Sequence, residues 1–334
     1  MIRVDGLTKH YGKNIAVQDL SFDVQKGELV GFLGPNGAGK TTTMRILTGY
    51  LAPTSGRAEV AGFDVAEDPI EVRRRIGYLP ENAPVYGDMT VRQYLNYMAA
   101  LKEVPPARRQ GRLTDVMEQL ALGHVAGRLV GNLSRGYRQR VGLGQALISD
   151  PPVLILDEPT AALDPTQIIE VRNLIKSLAG DRTILFSSHI LSEVQAVSER
   201  VIIVNRGRLI AEDRPDELVR RLQKSRQYIL RVAGGEAAGS LENLLAGTEG
   251  LASFEGVDDT RRAWRLTLTP GAGDEPLEKL FYTLAEARLP IMELSPADST
   301  LEDVFLALIA AGDEADLIQG QSDQVPVKAG ETGG

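Results

Sequence analysis

The stretch that decides the fold is Gly34-Pro35-Asn36-Gly37-Ala38-Gly39-Lys40-Thr41, which fits the phosphate-binding pattern G-x-x-x-x-G-K-[ST]. The mostly apolar run Gly27–Leu33 comes directly before it and predicts a buried strand, and Met44 and Leu47 come after it at helical spacing. Glycines at such a turn let consecutive backbone N–H groups converge on phosphate oxygens, and the positive end of the following helix points at the same anion. The flanking elements disfavour a glycine-rich turn that fits by chance. The stretch therefore predicts a cradle for nucleotide phosphates.

Polar side chains at and downstream of this cradle have the chemistry for phosphate and metal binding. The Lys40 ammonium suits the β- and γ-phosphates, and the Thr41 hydroxyl suits Mg²⁺. The apolar run Val153–Leu156 predicts a second buried strand that ends in Asp157 and Glu158. Successive strand residues point to opposite faces, so Asp157 can hold a water on Mg²⁺ while Glu158 acts as the general base that orients the attacking water. Alone, such a strand end is common at a protein surface, and the cradle upstream favours the catalytic interpretation.

The composition narrows the class of protein. The chain has 334 residues, with 37 Lys+Arg against 45 Asp+Glu and a formal net charge of −8. It has no cysteine, which excludes disulfides, thiolate metal sites and thiol catalysis. No apolar run approaches the roughly 18–20 residues that cross a bilayer, and the N-terminus lacks the apolar stretch of a signal peptide. These features indicate a soluble cytosolic protein, and the acidic balance disfavours a nucleic-acid scaffold.

Strand and helix patterns alternate through the nucleotide-binding domain predicted at residues 1–225. Strand patterns such as 183–186 lie between helical patterns such as 167–178 and 191–197. This alternation predicts an α/β fold with a mostly parallel sheet and helices packed on it. Helical spacing within the middle of the domain predicts a helical insertion at about 84–145.

The character of the sequence changes after residue 225. Residues 226–311 alternate short strand and helix patterns, including a helix at 300–310, and predict a small C-terminal α+β domain. Residues 312–334 carry five acidic residues, one lysine and no aromatic residue. Such a segment has too little apolar surface to offset the entropy of ordering, so we predict a disordered acidic tail.

Further motifs resemble those of one family, the ATP-binding subunits of ABC transporters. The stretch Leu133–Arg140 is similar to a degenerate form of the family signature Leu-Ser-Gly-Gly-Gln, with Ser134 and Gly136 kept. Asp164 lies in a stretch that resembles the D-loop of the family. His189 follows a predicted strand and matches the switch histidine. The resemblance implies a P-loop NTPase fold of the ABC type with an inserted helical subdomain.

The resemblance also implies contacts with the base of the nucleotide and with Mg²⁺. Tyr11 matches the aromatic residue that stacks on adenine, and Val17 matches the apolar residue beside the ring. Glu81 stands where the family has the Q-loop glutamine, which keeps an oxygen for Mg²⁺ but loses the amide donor. Taken singly, Ser134 is more often a helix N-cap, and an aromatic such as Tyr11 more often packs on the core or surface. Their order and spacing together favour the functional interpretation.

The resemblance implies an ATPase that works as a dimer of identical or different nucleotide-binding domains with ATP bound between them. The signature residues of one copy complete the phosphate site of the other, and the switch histidine contacts the γ-phosphate. The implied catalytic residues are Glu158, His189 and Lys40. The implied Mg²⁺ ligands are Thr41, Glu81 and Asp157. The residues expected to bind ATP are Tyr11, Val17, Gly34, Pro35, Asn36, Gly37, Ala38, Gly39, Lys40, Thr41, Thr42, Ser134, Gly136 and Asp164.

Two features resemble a narrower group, the ATPases that pair with ABC-2 type permeases. These are the degenerate signature and the stretch Ser299–Leu306. Within that group the closest resemblance is to ATPases associated with gliding motility, and drug- and sodium-export ATPases are similar. The resemblance implies export through a separate integral membrane permease, with this chain peripheral on the cytoplasmic face of the membrane and no nucleic acid bound. Two alternatives stay open: a soluble ATP switch acting on nucleic acid or ribosomes, and a subunit that binds ATP without turnover.

Overall fold

The structure is a computed structural model that describes residues 1–161, 163–222, 227–233, 238–257, 263–269 and 272–296. These residues fall into two compact units, one within Met1–Pro215 and the other within Asp216–Leu306. The division lies at the start of the helix Pro215–Leu222, whereas the change in sequence character placed it at residue 225. The predicted helix at 300–310 and the predicted tail at 312–334 lie outside the described residues.

The first unit combines strands and helices along its whole length. Its strands in chain order are β1 (Ile2–Tyr11), β2 (Asn14–Val24), β3 (Leu29–Leu33), β4 (Ser55–Val60), β5 (Phe63–Asp64), β6 (Ile76–Leu79), β7 (Val153–Leu156), β8 (Thr183–Ser188), β9 (Arg200–Asn205) and β10 (Arg208–Asp213). Its α-helices are α1 (Lys40–Leu47), α2 (Pro69–Arg75), α3 (Val91–Leu101), α4 (Pro106–Gln119), α5 (Arg135–Leu147), α6 (Pro165–Leu178) and α7 (Leu191–Val197). Short 3₁₀ helices lie at Gly123–Val125 and Val130–Asn132.

The larger sheet of this unit positions the phosphate loop. Its strand order is β10-β9-β3-β8-β7-β6, and its pairs are parallel except for the antiparallel edge pair β9 and β10. Strands β3, β7 and β8 are buried along their whole lengths, as expected of parallel strands covered on both faces. Their carboxyl ends lie side by side. They lead into the phosphate loop, the Asp157-Glu158 pair and His189 respectively, so the sheet brings the three predicted segments to one edge.

A smaller antiparallel sheet, of order β2-β1-β4-β5, packs on the same core. Its inward residues include Phe22 of β2, whose ring lies 5.5 Å from that of Phe32 in β3. Met44 and Leu47 of α1 are fully buried in this core. The packing therefore fixes the helix that receives the phosphate loop.

The helices α3, α4 and α5 form the insertion between β6 and β7, two strands that pair directly with each other. Thr90 and Gln93 cap the start of α3 reciprocally, which satisfies two backbone donors. Helix α5 lies so close to β6 that a Cβ atom at Gly77 would come 2.2 Å from the Ala146 carbonyl oxygen. The α/β fold with a helical insertion is confirmed.

The second unit begins with α8 (Pro215–Leu222) and has the α+β composition expected from the sequence. Its further elements are β11 (Gln227–Val232), α9 (Ala238–Ala246), β12 (Leu251–Gly256), β13 (Ala263–Leu268), α10 (Glu275–Glu286) and β14 (Ile291–Pro296). The antiparallel sheet has the order β12-β13-β11-β14. Leu230 and Leu266 of the sheet share a core with Leu241 and Leu280 of the helices. Across the described ranges of the chain, no helix is long and apolar enough to span a membrane.

Candidate nucleotide site

The phosphate loop joins β3 to α1 through two glycines with left-handed backbone angles. Gly37 has φ 82° and Gly39, the N-cap of α1, has φ 97°. A Cβ atom at Gly39 would lie 2.4 Å from the carbonyl oxygen of Ala16, so the loop could not approach β2 with any other residue here. The local sequence thus turns the chain sharply and leaves the first backbone donors of α1 pointing into the space before the helix.

The loop borders a cavity of about 400 Å³. All of its lining residues except Ala16 and Ala161 are candidates from the sequence. The lining consists of Ala16, Asn36, Gly37, Ala38, Gly39, Lys40, Thr41, Thr42, Glu81, Glu158, Ala161 and His189. The fold therefore brings together the phosphate loop, the Glu158 carboxylate, Glu81 and His189, which are far apart in the sequence.

Lys40 is 6% exposed and folds back over its own loop. Its Nζ donates to the carbonyl oxygens of Gly34 at 2.8 Å and Pro35 at 3.2 Å. The same atom lies 3.3 Å from Oε1 of Glu158. A buried ammonium needs such partners, because burying a charge without hydrogen bonds costs free energy. Gly34 and Pro35 thus contribute carbonyl oxygens to the site instead of lining the cavity.

Glu158 connects the Lys40 ammonium to the His189 imidazole. It has φ 49°, a left-handed angle that is unusual for a residue with a side chain, and its backbone N–H donates to Ser187 Oγ at 2.9 Å. Its Oε2 lies 2.9 Å from Nδ1 of His189. The glutamate carboxylate therefore projects into the cavity with one oxygen on a lysine and the other on an imidazole, a geometry suited to holding a water for in-line attack.

Asp157 and Thr41 form a second polar pair beside the cavity. Oδ1 of Asp157 accepts hydrogen bonds from Ser187 Oγ at 2.7 Å and from Thr41 Oγ1 at 3.4 Å. Oδ2 is buried without a hydrogen-bond partner. Burial raises the pKa of Asp157, with further contributions from the charges of Glu158 and Glu81. An ionised oxygen that is buried and unpaired fits a site for a cation or for a water bound to one.

The donors present suit Mg²⁺ shared with a nucleotide. Among the residues described here, no cluster of three or more His, Asp or Glu side chains could hold a metal alone. Mg²⁺ in phosphate-transfer sites takes one or two carboxylates, with phosphates and waters as its other ligands. Thr41 and Asp157 could supply the protein oxygens, and Glu81 lines the nucleotide cavity together with Thr41.

A sequence model described as ABC transporter matches residues 17–161. The chain is 35% identical over 315 residues to the bacitracin transport ATP-binding protein BcrA of Bacillus licheniformis, covering 93% of this chain and 98% of BcrA. The chain belongs to the ABC transporter family. It is also 36% identical over 309 residues to the daunorubicin resistance ATP-binding protein DrrA3 of Streptomyces coeruleorubidus, covering 92% and 95% of the two chains. A solved structure described as the ATP-binding subunit of an ABC transporter matches with a TM-score of 0.60 at 28% identity, covering 66% of this chain and 92% of that chain.

As an ATP-binding subunit of this family, the chain is an ATPase that converts ATP and water to ADP and phosphate. The family membership agrees with the geometry of the cavity. A phosphate loop, a buried lysine and a carboxylate–imidazole pair converge there on one space. The P-loop fold of the ABC type and the enzyme class expected from the sequence are confirmed.

The two residues expected near the base lie differently from each other. Tyr11 ends β1 with 47% of its surface exposed, so its ring has surface for stacking, but it does not line the cavity. Val17 of β2 is 0% exposed and packs in the core. Because strand side chains alternate, its neighbour Ala16 borders the cavity instead. Val17 is therefore buried while Ala16 borders the cavity, and the contact of Val17 with the base stays a prediction.

The ABC signature residues also lie outside the lining of this cavity. Ser134 is the N-cap of α5, and its hydroxyl accepts from the Tyr137 N–H at 3.5 Å. Gly136 is buried, and a Cβ atom there would meet the side chain of Gln167 in α6 at 2.3 Å. Asp164 caps α6 by accepting from the backbone N–H of Gln167 at 2.9 Å. All three residues occupy helix starts, and their contact with nucleotide stays a prediction.

Sequence reasoning missed two side chains that hold the ATPase site together. Ser187 donates to Asp157 and accepts from the backbone N–H of Glu158. Gln139 of α5 is buried and donates to the carbonyl oxygen of Pro159 at 3.0 Å, which ties the signature helix to the segment after Glu158. A polar residue at the end of an otherwise apolar strand was a usable signal for Ser187. Gln139 had none, because its partner lies across a tertiary contact.

Proposed function

We propose that this chain powers export through a separate ABC-2 type permease in the membrane. The observation that supports it best is the similarity over more than nine-tenths of the chain to proteins named for bacitracin transport and daunorubicin resistance. The same similarity disfavours a switch that acts on nucleic acid or ribosomes. The link to gliding motility rests on sequence resemblance alone and stays a prediction.

Hydrolysis in this proposal follows from the side chains around the cavity. The Lys40 ammonium moves from its ion pair with Glu158 to the β- and γ-phosphates. The backbone N–H groups of the loop bind the same phosphate oxygens. Glu158 then orients the attacking water, and His189, held 2.9 Å away, contacts the γ-phosphate and aligns that water. Thr41 and Asp157 would hold Mg²⁺, which would neutralise part of the charge of the phosphates.

A second ATP-binding subunit, identical or different, completes the site. Ser134 and Gly136 lie at the start of α5, away from the cavity lined by their own phosphate loop. The N-terminal turn of a helix is a good partner for phosphate. If the start of α5 from one subunit faces the γ-phosphate held by the other, ATP joins the two subunits and its hydrolysis releases them.

The permease is expected to contact a groove beside the Mg²⁺ ligands. A second cavity of about 460 Å³ shares Thr41 and Glu81 with the nucleotide cavity. It is lined by Thr41, Arg45, Tyr50, Tyr78, Pro80, Glu81, Asn82, Pro84, Lys102, Gln145 and Asp157. The Tyr94 hydroxyl donates to the Pro84 carbonyl oxygen at 3.4 Å, and Tyr94 packs edge-on against the half-exposed Tyr86. A permease helix resting here would place this chain on the cytoplasmic face of the membrane.

The decisive test of turnover is the pair Glu158→Gln and Lys40→Ala in the purified full chain. Glu158→Gln should bind ATP and lower kcat by about 10²-fold or more, since general-base catalysis contributes that much. Lys40→Ala should lose ATP binding. Unchanged turnover in Glu158→Gln, or wild-type ATP affinity in Lys40→Ala, would contradict the assignment.

The partner is tested by affinity purification of Glu158→Gln from membranes in the presence of ATP. We expect an integral membrane protein to co-purify, and Lys40→Ala serves as the matched control that should retain less of it. Recovery of ribosomal or nucleic-acid components in place of a membrane protein would favour the alternative function.

A further inference from the structure

Glu193 is a buried carboxylate that the mechanism above does not use. It lies in the first turn of α7, shortly after His189, and is 3% exposed. A carboxylate at this depth is costly unless its oxygens accept hydrogen bonds. Its partners therefore show what the residue does.

The partners of Glu193 come from three different segments. Oε2 accepts from Thr160 Oγ1 at 2.5 Å and from Ser188 Oγ at 3.0 Å. Oε1 lies 3.7 Å from Nη2 of Arg172 in α6. Thr160 and Ser188 are themselves buried, at 5% and 0% exposure. The two hydroxyl contacts are thus shielded from water, and hydrogen bonds to a charged group are strongest in such a water-free interior.

The two hydroxyl partners of Glu193 lie close in sequence to Glu158 and His189. Thr160 follows Glu158 by one intervening proline, and Ser188 directly precedes His189. One oxygen of Glu193 therefore joins the segment of the general base to the segment of the switch histidine. The Ser188 carbonyl oxygen also accepts from the Gly34 N–H at 3.4 Å, at the start of the phosphate loop.

We propose that Glu193 is a positioning residue for ATP hydrolysis, holding Glu158 and His189 at the separation their side chains need. It does not line the cavity, so it acts through the segments that its side chain contacts. A misplacement of catalytic groups by about 1 Å costs up to 10²-fold in rate. Loss of the link should accordingly lower kcat while the phosphate loop still binds ATP.

The test is steady-state ATPase kinetics of the full chain with Thr160→Val and Glu193→Gln, two substitutions that keep side-chain size. We expect each to lower kcat about tenfold or more, with KM for ATP within about twofold of the wild-type value. Thr160→Ser, which restores the hydroxyl, should recover most of kcat. Ser198→Ala is the matched control: it removes a buried hydroxyl at the C-cap of α7 that donates to the Val194 carbonyl oxygen, and should leave kcat unchanged.

The double variant Thr160→Val/Glu193→Gln separates positioning from general destabilisation. Because both changes act on the same hydrogen bond, one by removing its donor and the other by removing the charge of its acceptor, the double variant should be no slower than the slower single variant. Rate losses that multiply, a kcat loss matched by Ser198→Ala, or full activity in folded Thr160→Val would each overturn the proposal. Thr160→Val alone suffices for the test if Glu193→Gln does not fold.

Discussion

The Asp157 carboxylate is held through one oxygen only. Ser187 and Thr41 donate to Oδ1, while Oδ2 is buried and has no hydrogen-bond partner. Burial of the charge raises the pKa of Asp157 above its ordinary value of 3.8. Without a cation, the ionised residue therefore destabilises the fold that surrounds it.

Asp157→Asn should accordingly raise the thermal stability of the metal-free protein at neutral pH. Between 3.8 and the raised pKa the folded state binds more protons than the unfolded state, so wild-type stability falls as pH rises through that window. The amide carries no charge, and the gain in Tm should be about 2–4 °C, as roughly 1 kcal/mol gives in a unit of this size.

The measurement is thermal unfolding in EDTA from pH 7 down into the acid range. The difference between the variant and the wild type should shrink as Asp157 becomes protonated. Adding Mg²⁺ with ATP should stabilise the wild type and not Asp157→Asn. A lower Tm for the variant at pH 7 in EDTA would show that the charge is already compensated.

At the scale of elements, Ser134 at the start of α5 has an observed and a proposed role that a substitution can separate: capping the helix and contacting the γ-phosphate of the partner site. The serine caps the helix, and Asp is an equally good N-cap, whereas loss of the cap costs about 1 kcal/mol. Ser134→Asp should therefore keep the Tm of the wild type but abolish ATP hydrolysis, since its carboxylate would repel the γ-phosphate of the partner site. Ser134→Ala should lose both stability and activity. Wild-type turnover in Ser134→Asp would leave Ser134 with the capping role alone.

Elements with a strong local pattern could be predicted from the sequence. Helix α7 occurs at the expected residues, and β7 is followed directly by the expected acidic pair. Helix α2 (Pro69–Arg75) was missed because it is short and presents only Val72 to the core. Helix α9 and strand β12 were missed because each is stabilised by the shared core of the second unit more than by local periodicity.

The residues of the candidate site likewise fall into those that a local motif predicts and those that depend on tertiary contacts. The phosphate loop, Asp157 and Glu158 lie in contiguous motifs that can be recognised locally. Glu193 instead acts through a hydroxyl 33 residues away, and Gln139 through a carbonyl 20 residues away. Such contacts depend on which helices meet, and this information is absent from any short stretch of sequence.

At the scale of the whole molecule, an ATP site built from two identical copies of the chain predicts that two inactive variants can complement each other. Lys40→Ala has an inactive phosphate loop but an intact Ser134, and Ser134→Asp has the reverse. Mixing the two purified proteins should restore part of the ATPase activity, because mixed dimers contain one intact site. The activity should rise with total protein concentration. Mixtures as inactive as the separate variants would indicate a different partner subunit or a site complete within one chain.

The Lys40–Glu158 ion pair also gives the ATPase cycle an order in time. The Lys40 ammonium already donates to two carbonyl oxygens of the loop, so the glutamate, 3.3 Å away, and the incoming phosphates compete for its remaining hydrogen-bonding capacity. In the proposed mechanism, arrival of the triphosphate would withdraw the cation from the carboxylate and leave His189 as its remaining near neighbour. The general base is unmasked by the same event that delivers its substrate. In this proposal, competition for the Lys40 ammonium couples ATP binding to the release of the Glu158 carboxylate, and this coupling requires no larger motion of the chain.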